Sequence, residues 1–369
     1  MRWELFALAL TCALVQAVPA LANRPITRDT TRRAPAYVDA SRFTNRALTI
    51  GSAPFVRNAT LTIPTGVGPY PAVVLVYGES PETGLSARDF AISPSDHNQA
   101  EDDQSIFQDL AEGLASQGVA VLRYDQRSGS DGRQRTTITA DVDDFIDDAV
   151  VAARLLALQP TIDASRVFII GHGLGGKLAP EIAARAGNVA GLVLLAPPAR
   201  APWDIVLEQL RAEHAPSETI AAVEVAIRHI NRGSGAATTI LGMPFTYWHK
   251  WASHDGITAA RNLARPILVV HGDRDKQVID EDRAIWQCGL AGVANTTMIT
   301  LAGLNHRFVQ RAAAADPAGP AGTTATAPTK TTAAARPTAS AESARPVRYN
   351  PTGHVDARVL ELIGKFITP

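Results

Sequence analysis

The stretch from Arg166 to Glu181 leaves the chain few ways to fold. Arg166-Val-Phe-Ile-Ile is a short β-branched and aromatic run, and it ends in Gly171-His172-Gly173-Leu174-Gly175-Gly176. A helix-former pattern follows at once, from Lys177 onward. Strand, abrupt turn and helix are thus joined without a linker. Glycine at the turn tolerates backbone angles that would bring a Cβ into conflict with the chain.

The segments on either side repeat the theme. Asn58-Ala-Thr-Leu-Thr-Ile-Pro alternates apolar and polar residues, the pattern of a half-exposed edge strand. Pro71-Ala-Val-Val-Leu-Val-Tyr-Gly, Val119 to Asp125, Val189 to Pro197 and Pro266-Ile-Leu-Val-Val-His-Gly-Asp-Arg-Asp275 read as strands buried on both faces. Asn295 to Leu301 closes the series. Helices are expected over Glu101–Gln117 and Val142–Leu158, stopped by Gly118 and Pro160. Strands alternating with helices imply an α/β chain with a mostly parallel, doubly wound sheet. Ligands of such sheets bind beyond the carboxyl ends of the strands. That places the candidate chemistry at Gly78 and its successors, Gly171 to Gly176, Asp273 and Asp275, and His306.

With 369 residues the chain can bury a large core, and its 46% hydrophobic content and formal net charge of −1 are those of an ordinary globular protein. They give no electrostatic ground for nucleic-acid binding. The N-terminus stands apart. Arg2, an apolar stretch from Leu5 to about Val18, and Ala20-Leu-Ala22 make an export signal over 1–22, cleaved after Ala22. An uncleaved anchor is the alternative, since Glu4 is unusual there. The mature protein would then be secreted or periplasmic, with no membrane span. Cys12 leaves with the signal, so Cys288 has no intrachain partner. No Cys/His spacing suits a metal, and no cofactor is expected.

The remaining organisation follows from composition. Residues 23–45 read as an irregular lead-in, 46–199 and 263–311 as two parts of one core, and 351–369 as a terminal core helix. The run of Ala, Thr and Pro from Ala312 to Ala344 lacks the apolar side chains that offset ordering entropy, so 312–350 is expected to be a disordered insert. About seventy residues separate Leu195 from Ile267, too many for one crossover. Residues 200–262 are therefore read as a helical insertion, here termed the cap. Its Trp203, Phe245, Tyr247, Trp248 and Trp251 either line an apolar pocket or pack the cap on the body.

From about Ala47 to the end, outside the insert, the chain resembles bacterial α/β-hydrolases of the esterase and acyl-hydrolase type. Gly171-His172-x-Leu174-Gly175-Gly176 is similar to their Gly-His-Ser-Leu-Gly-Gly nucleophile elbow, with Gly173 where the serine belongs. Arg123-Tyr-Asp-Gln-Arg, Gly272-Asp-Arg-Asp275, Gly303-Leu-Asn-His306 and Gly353-His-Val-Asp356 match in order. The family's His-Gly-Ser-Gly-Pro is here Tyr77-Gly78-Glu79-Ser80-Pro81.

The resemblance implies an α/β-hydrolase fold with a cap, and a small ester or acyl ligand. It implies Asp275 as the acid, with Asp273 in reserve, and His306 as the proton acceptor. The backbone N–H groups of Leu174 and Glu79 would form the oxyanion hole, and Tyr77, Ser80, His172, Trp203, Tyr247 and Trp248 would surround the ligand. The nucleophile itself is missing, which abolishes ordinary serine catalysis. Two readings compete: a ligand-binding protein on a hydrolase fold, or a hydrolase that uses His306-activated water or a displaced nucleophile such as Ser80.

Overall fold

The computed structural model describes residues 34–52, 56–77, 99–125, 142–212, 214–233, 239–240, 243–310 and 353–369. The export signal, the Ala/Thr/Pro-rich insert, Glu79 and Ser80 lie outside the described residues.

A 3₁₀ turn at Ala40–Arg42, capped by the Asp39 carboxylate on the Ser41 N–H at 3.0 Å, leads into β1 (Phe43–Ile50). The lead-in expected over 23–45 therefore gives way to regular structure at Ala40. There follow β2 (Arg57–Pro64), β3 (Tyr70–Tyr77), α1 (Gln99–Ser116), β4 (Ala120–Tyr124), α2 (Val142–Ala157), β5 (Ile162–His172), α3 (Leu174–Ala186) and β6 (Gly191–Leu195). Next come α4 (Pro202–Ala212), α5 (Ser217–Asn231), the short strands β7 (Thr239–Ile240) and β8 (Met243–Pro244), α6 (Phe245–Ser253) and α7 (Gly256–Asn262). The chain ends with β9 (Ile267–Gly272), α8 (Asp280–Gly289), β10 (Thr296–Leu301) and α9 (Ala357–Ile367).

Eight strands form one sheet in the order β1-β2-β4-β3-β5-β6-β9-β10. The β1–β2 and β2–β4 pairs are antiparallel and the other five are parallel. One sequence expectation is corrected here. The Asn58–Pro64 strand is not at the edge, because β1 pairs with it along its whole length. Nor is it half-exposed: its alternate polar residues Thr60 and Thr62 are both buried, and Thr62 Oγ1 donates to Asn45 Oδ1 of β1 at 2.7 Å.

Period-two alternation divides the core between the two faces of the sheet. Val73, Leu75, Ile170, Val193, Leu195 and Val270 pack with Ile106, Leu110 and Leu114 of α1 and with Val359, Leu360 and Ile363 of α9. Val74, Val76, Ile169, Leu192, Leu194 and Val269 pack with Ile146 of α2, Leu178 and Ile182 of α3 and Trp286 of α8. Each such side chain contributes roughly 1.5–3 kcal/mol by leaving water. That burial holds the strand ends, and the loops they carry, in fixed register.

Residues 200–253 have an apolar centre of their own, made by Val206, Leu210, Val223, Ala226, Ile227, Ile240 and Trp248. They are fastened to the body by Lys250 Nζ on Asp143 at 2.8 Å, by His254 Nδ1 on Glu181 at 2.6 Å, and by Trp251 within the sheet-side core. Helix α7 falls inside the expected cap but lies directly on α3. A Cβ on Gly256 would stand 2.1 Å from the Lys177 carbonyl oxygen, so only glycine permits that approach.

At the other end of the chain Val309 and Val355 pair across an antiparallel bridge, and Asp356 N–H donates to the Phe308 carbonyl at 2.9 Å. Buried Asp109 of α1 accepts from the Val355 N–H and faces His354 Nδ1, each at 3.1 Å. Among the described residues no helix is long and apolar enough to cross a membrane.

Candidate active site

The strand–turn–helix read from the sequence is built around Gly173, which has φ 56° and ψ −127°. That is a region L-residues enter only with strain. The helix starts directly against the strand because three glycines let the backbones meet. A Cβ on Gly171 would stand 2.4 Å from the Gly175 carbonyl oxygen, and one on Gly176 would stand 3.0 Å from that of Gly171. The Gly173 N–H donates to Leu195 O at 2.9 Å, which fixes the turn to the end of β6. The Leu174 N–H is the first of α3, where no carbonyl of the same helix can accept it.

The loop after β10 brings His306 to this turn. Asn305 shapes that loop, its Oδ1 accepting the N–H groups of Arg307 and Val309 at 3.0 Å each. His306 is 6% exposed. Its Nε2 lies 3.5 Å from the point a Cβ on Gly173 would occupy. Its Nδ1 lies 2.7 Å from Asp275 Oδ2. Asp275 Oδ1 accepts the N–H groups of Gln277 and Val278 at 2.8 and 2.9 Å. Burial alone would push the Asp275 carboxyl up, but the His306 charge and hydrogen bond and the two amides outweigh it, holding it below the usual carboxylate range. An ionised carboxylate on Nδ1 keeps the proton there and leaves Nε2 as the acceptor toward Gly173. Asp273 does other work: its Oδ1 accepts the Gly303 N–H at 2.6 Å and ties the acid loop to the histidine loop.

Comparison with known proteins gives the family. The chain is 31% identical over 339 residues to esterase EstD of Thermotoga maritima, covering 90% of this chain and 69% of that one. The chain belongs to the α/β-hydrolase esterase family. Residues 100–232 match the Hydrolase_4 family, described as serine aminopeptidase, S33. Among solved structures, Est1E from Butyrivibrio proteoclasticus overlaps 71% of this chain and 90% of its own at 15% identity and a TM-score of 0.42. The esterase domain of a Rhodothermus marinus protein overlaps 72% and 90% at 17% identity and 0.43. Overlaps that loose add nothing to the assignment, which stands on the sheet order and the Thermotoga relative.

Not every residue expected around the ligand of this α/β-hydrolase stands at the site. Tyr77 ends β3 and is paired in register with His172. His172 is directed at His306, with its Nε2 2.9 Å from the His306 carbonyl oxygen. Trp248 is corrected: it is 1% exposed inside the centre of the insertion, its indole N–H donating to Ile240 O at 3.3 Å, and it offers no surface to a ligand. Tyr247 is half-buried, edge-on to Trp248 and Trp251, and Trp203 stacks loosely toward Phe245 at 6.5 Å. These two pack within and beneath the insertion.

The sequence reading missed two features of this hydrolase fold. His271, 1% exposed at the end of β9, has neither ring nitrogen hydrogen-bonded among the described residues. Burial, with Arg283 and His306 and against Asp275 and Asp282, pushes its pKa down to about 4. Asp282, fully buried at the start of α8, accepts from Ala199 N–H, Arg200 N–H and Arg200 Nε at 2.8–2.9 Å and so pins the root of the insertion. Arg200 also pairs with Glu208. The groove beside this network has a mixed lining, with Leu207 and Ile279 between the charged Asp204, Glu208, Arg211 and Glu281. Among the described residues no group of three or more His, Cys, Asp or Glu side chains is arranged to hold a metal ion.

Proposed function

We propose that this chain is an exported protein of the carboxylic-ester and acyl-hydrolase lineage that keeps an ester or acyl ligand site and lacks the serine nucleophile. One observation carries the reading. The residue at the strained turn, facing His306 Nε2 across 3.5 Å, is a glycine, so no side-chain oxygen is present there to attack an acyl carbon. Gly173 also relieves the turn of the strain a serine would bear. What remains is a general base oriented by a carboxylate, with the Leu174 amide as an oxyanion donor. Such a remnant site supplies roughly 10³–10⁴-fold over water, far below an ordinary esterase.

The test is a panel of short- and long-chain acyl esters, together with a serine-directed fluorophosphonate probe. The expected result is no labelling and only residual hydrolysis. Stoichiometric labelling with turnover in the usual range of about 1–10³ s⁻¹ would overturn the reading. Export rests on Arg2, the apolar stretch and Ala20-x-Ala22. Its check is a mature N-terminus at Asn23 by mass spectrometry of secreted or periplasmic protein.

The intact Asp275–His306 pair favours a second reading, because a purely binding protein has no use for an oriented proton acceptor. In that reading His306 takes a proton from water, the hydroxide attacks the acyl carbon, and the proton passes to the departing alkoxide. Residual hydrolysis lost in His306→Gln and kept in Ser80→Ala would support water activation. Probe labelling at Ser80 would support the displaced nucleophile instead.

A further inference from the structure

We propose that His172 is a positioning residue, holding the main chain of His306 so that the imidazole facing Gly173 is fixed from its backbone end as well as by Asp275. The inference deepens the reading above and rests on it. His172 is the last residue of β5 and Gly173 follows it directly, so one short segment governs both the turn and the histidine opposite. Its Nε2–H donates to the His306 carbonyl at 2.9 Å, 134 residues away in sequence. The two imidazoles lie face to face at a tilt, with centroids 4.7 Å apart and an interplanar angle of 50°. Phe107 and Phe308 meet the His172 ring edge-on at 5.8 and 6.2 Å and leave it part-buried.

The clamp answers a mechanical need. Asp275 controls rotation of the His306 ring, but not the height of the loop that carries it. That loop is shaped internally by Asn305 and attached to the acid loop through Asp273 and Gly303. His172 is its tie to the central strand of the turn. A displacement of about 1 Å at a reacting group costs on the order of 10²-fold in rate, so such a tie has consequences.

The chemistry of the ring suits the role. A carbonyl only accepts, so His172 Nε2 carries the proton and Nδ1 does not. Burial first, then the charge of His306, pushes the His172 pKa down to about 3; Arg307 adds to this, while the carbonyl bond and Asp275 oppose it. His172 stays neutral down to about pH 3. It neither competes for the proton nor repels the imidazolium.

The experiment uses histidine-labelled full-length protein and nuclear magnetic resonance. In wild type, His172 is expected as the Nε2–H tautomer, uncharged at pH 5. An Nδ1–H tautomer, or protonation near pH 6, overturns the proposal without any variant being made. His172→Phe keeps the ring and loses the donor, and His172→Gln keeps a donor. In the Phe variant the His306 Nδ1–H should exchange with solvent about tenfold faster or more. Placed in Gly173→Ser, it should lower kcat about 10–100-fold with KM within about twofold, and Gln should recover most of the loss. A folded Phe variant with unchanged His306 exchange overturns the proposal. If Gly173→Ser proves inert, the reading of the site falls, while the tautomer and exchange measurements still decide for or against His172.

Discussion

Gly173→Ser adds one hydroxymethyl group to a turn that already faces the Asp275–His306 pair. The new Cβ would stand 3.5 Å from His306 Nε2 and 3.9 Å from Cε1, ordinary contact distances. A hydroxyl one bond further out falls within the ~2.6–3.2 Å range of a nucleophile and its base. Placing a Cβ at φ 56°, ψ −127° costs about 1–3 kcal/mol. At roughly 2–4 °C per kcal/mol for a domain of this class, Tm should fall by about 2–12 °C. Against that modest loss, hydrolysis of acyl esters should rise by several orders of magnitude, toward the ~10⁶ that removing such a nucleophile costs elsewhere. The assay is kcat/KM on a chain-length series, with stoichiometric fluorophosphonate labelling at residue 173. A folded variant that stays unlabelled, with a rate within tenfold of wild type even when Glu79→Gln is added, would refute the reasoning. The Asp275–His306 pair would then have to be explained as structure.

Other expectations follow from the surroundings. His271 is neutral in the fold down to about pH 4, whereas the unfolded chain takes up that proton near 6.5. Its contribution is therefore fully present above 6.5 and lost as pH falls through that window, by about 3 kcal/mol at pH 4. His271→Leu should flatten Tm against pH between 6.5 and 4, and an unchanged slope would count against this. Asp282→Ala leaves part-buried Arg200 with Glu208 alone as its charge partner and strands the amides of Ala199, Arg200 and Ile279, so a loss of about 1–3 kcal/mol and faster limited proteolysis within 200–262 are expected. Replacing residues 311–352 by a short Gly/Ser linker should leave Tm nearly unchanged, because Val309 and Val355 already pair and closure entropy grows only logarithmically with length. A large drop would show that the segment packs on the body.

The parts of the fold that a sequence reveals are those enforced by local periodicity. The run at residues 73–76 is apolar on both faces because both faces are covered, and the strand–glycine–helix transition at 170–177 admits one geometry. Asp275 and His306 were legible from their places after strands. β1 was not, since only Phe43 and Ile50 at its ends are buried and the residues between look like a polar lead-in. Trp248 was misplaced because aromatic spacing does not tell the inside of an insertion from its mouth. The tie from His172 to His306 is hidden for another reason: a strand's last residue shows its face, but not which distant carbonyl comes to meet it.

The glycines around the turn have a consequence for inheritance. A Cβ on Gly171 would stand 2.4 Å from the Gly175 carbonyl oxygen and one on Gly176 3.0 Å from that of Gly171, so folding alone favours glycine at both positions. That constraint is indifferent to what stands at 173, where a side chain meets only the His306 ring among the described residues. Glycine and serine have codons that differ by a single base. With GGT or GGC at position 173, a lineage can therefore cross between the two chemistries in one mutational step, in either direction, while packing holds the mounting.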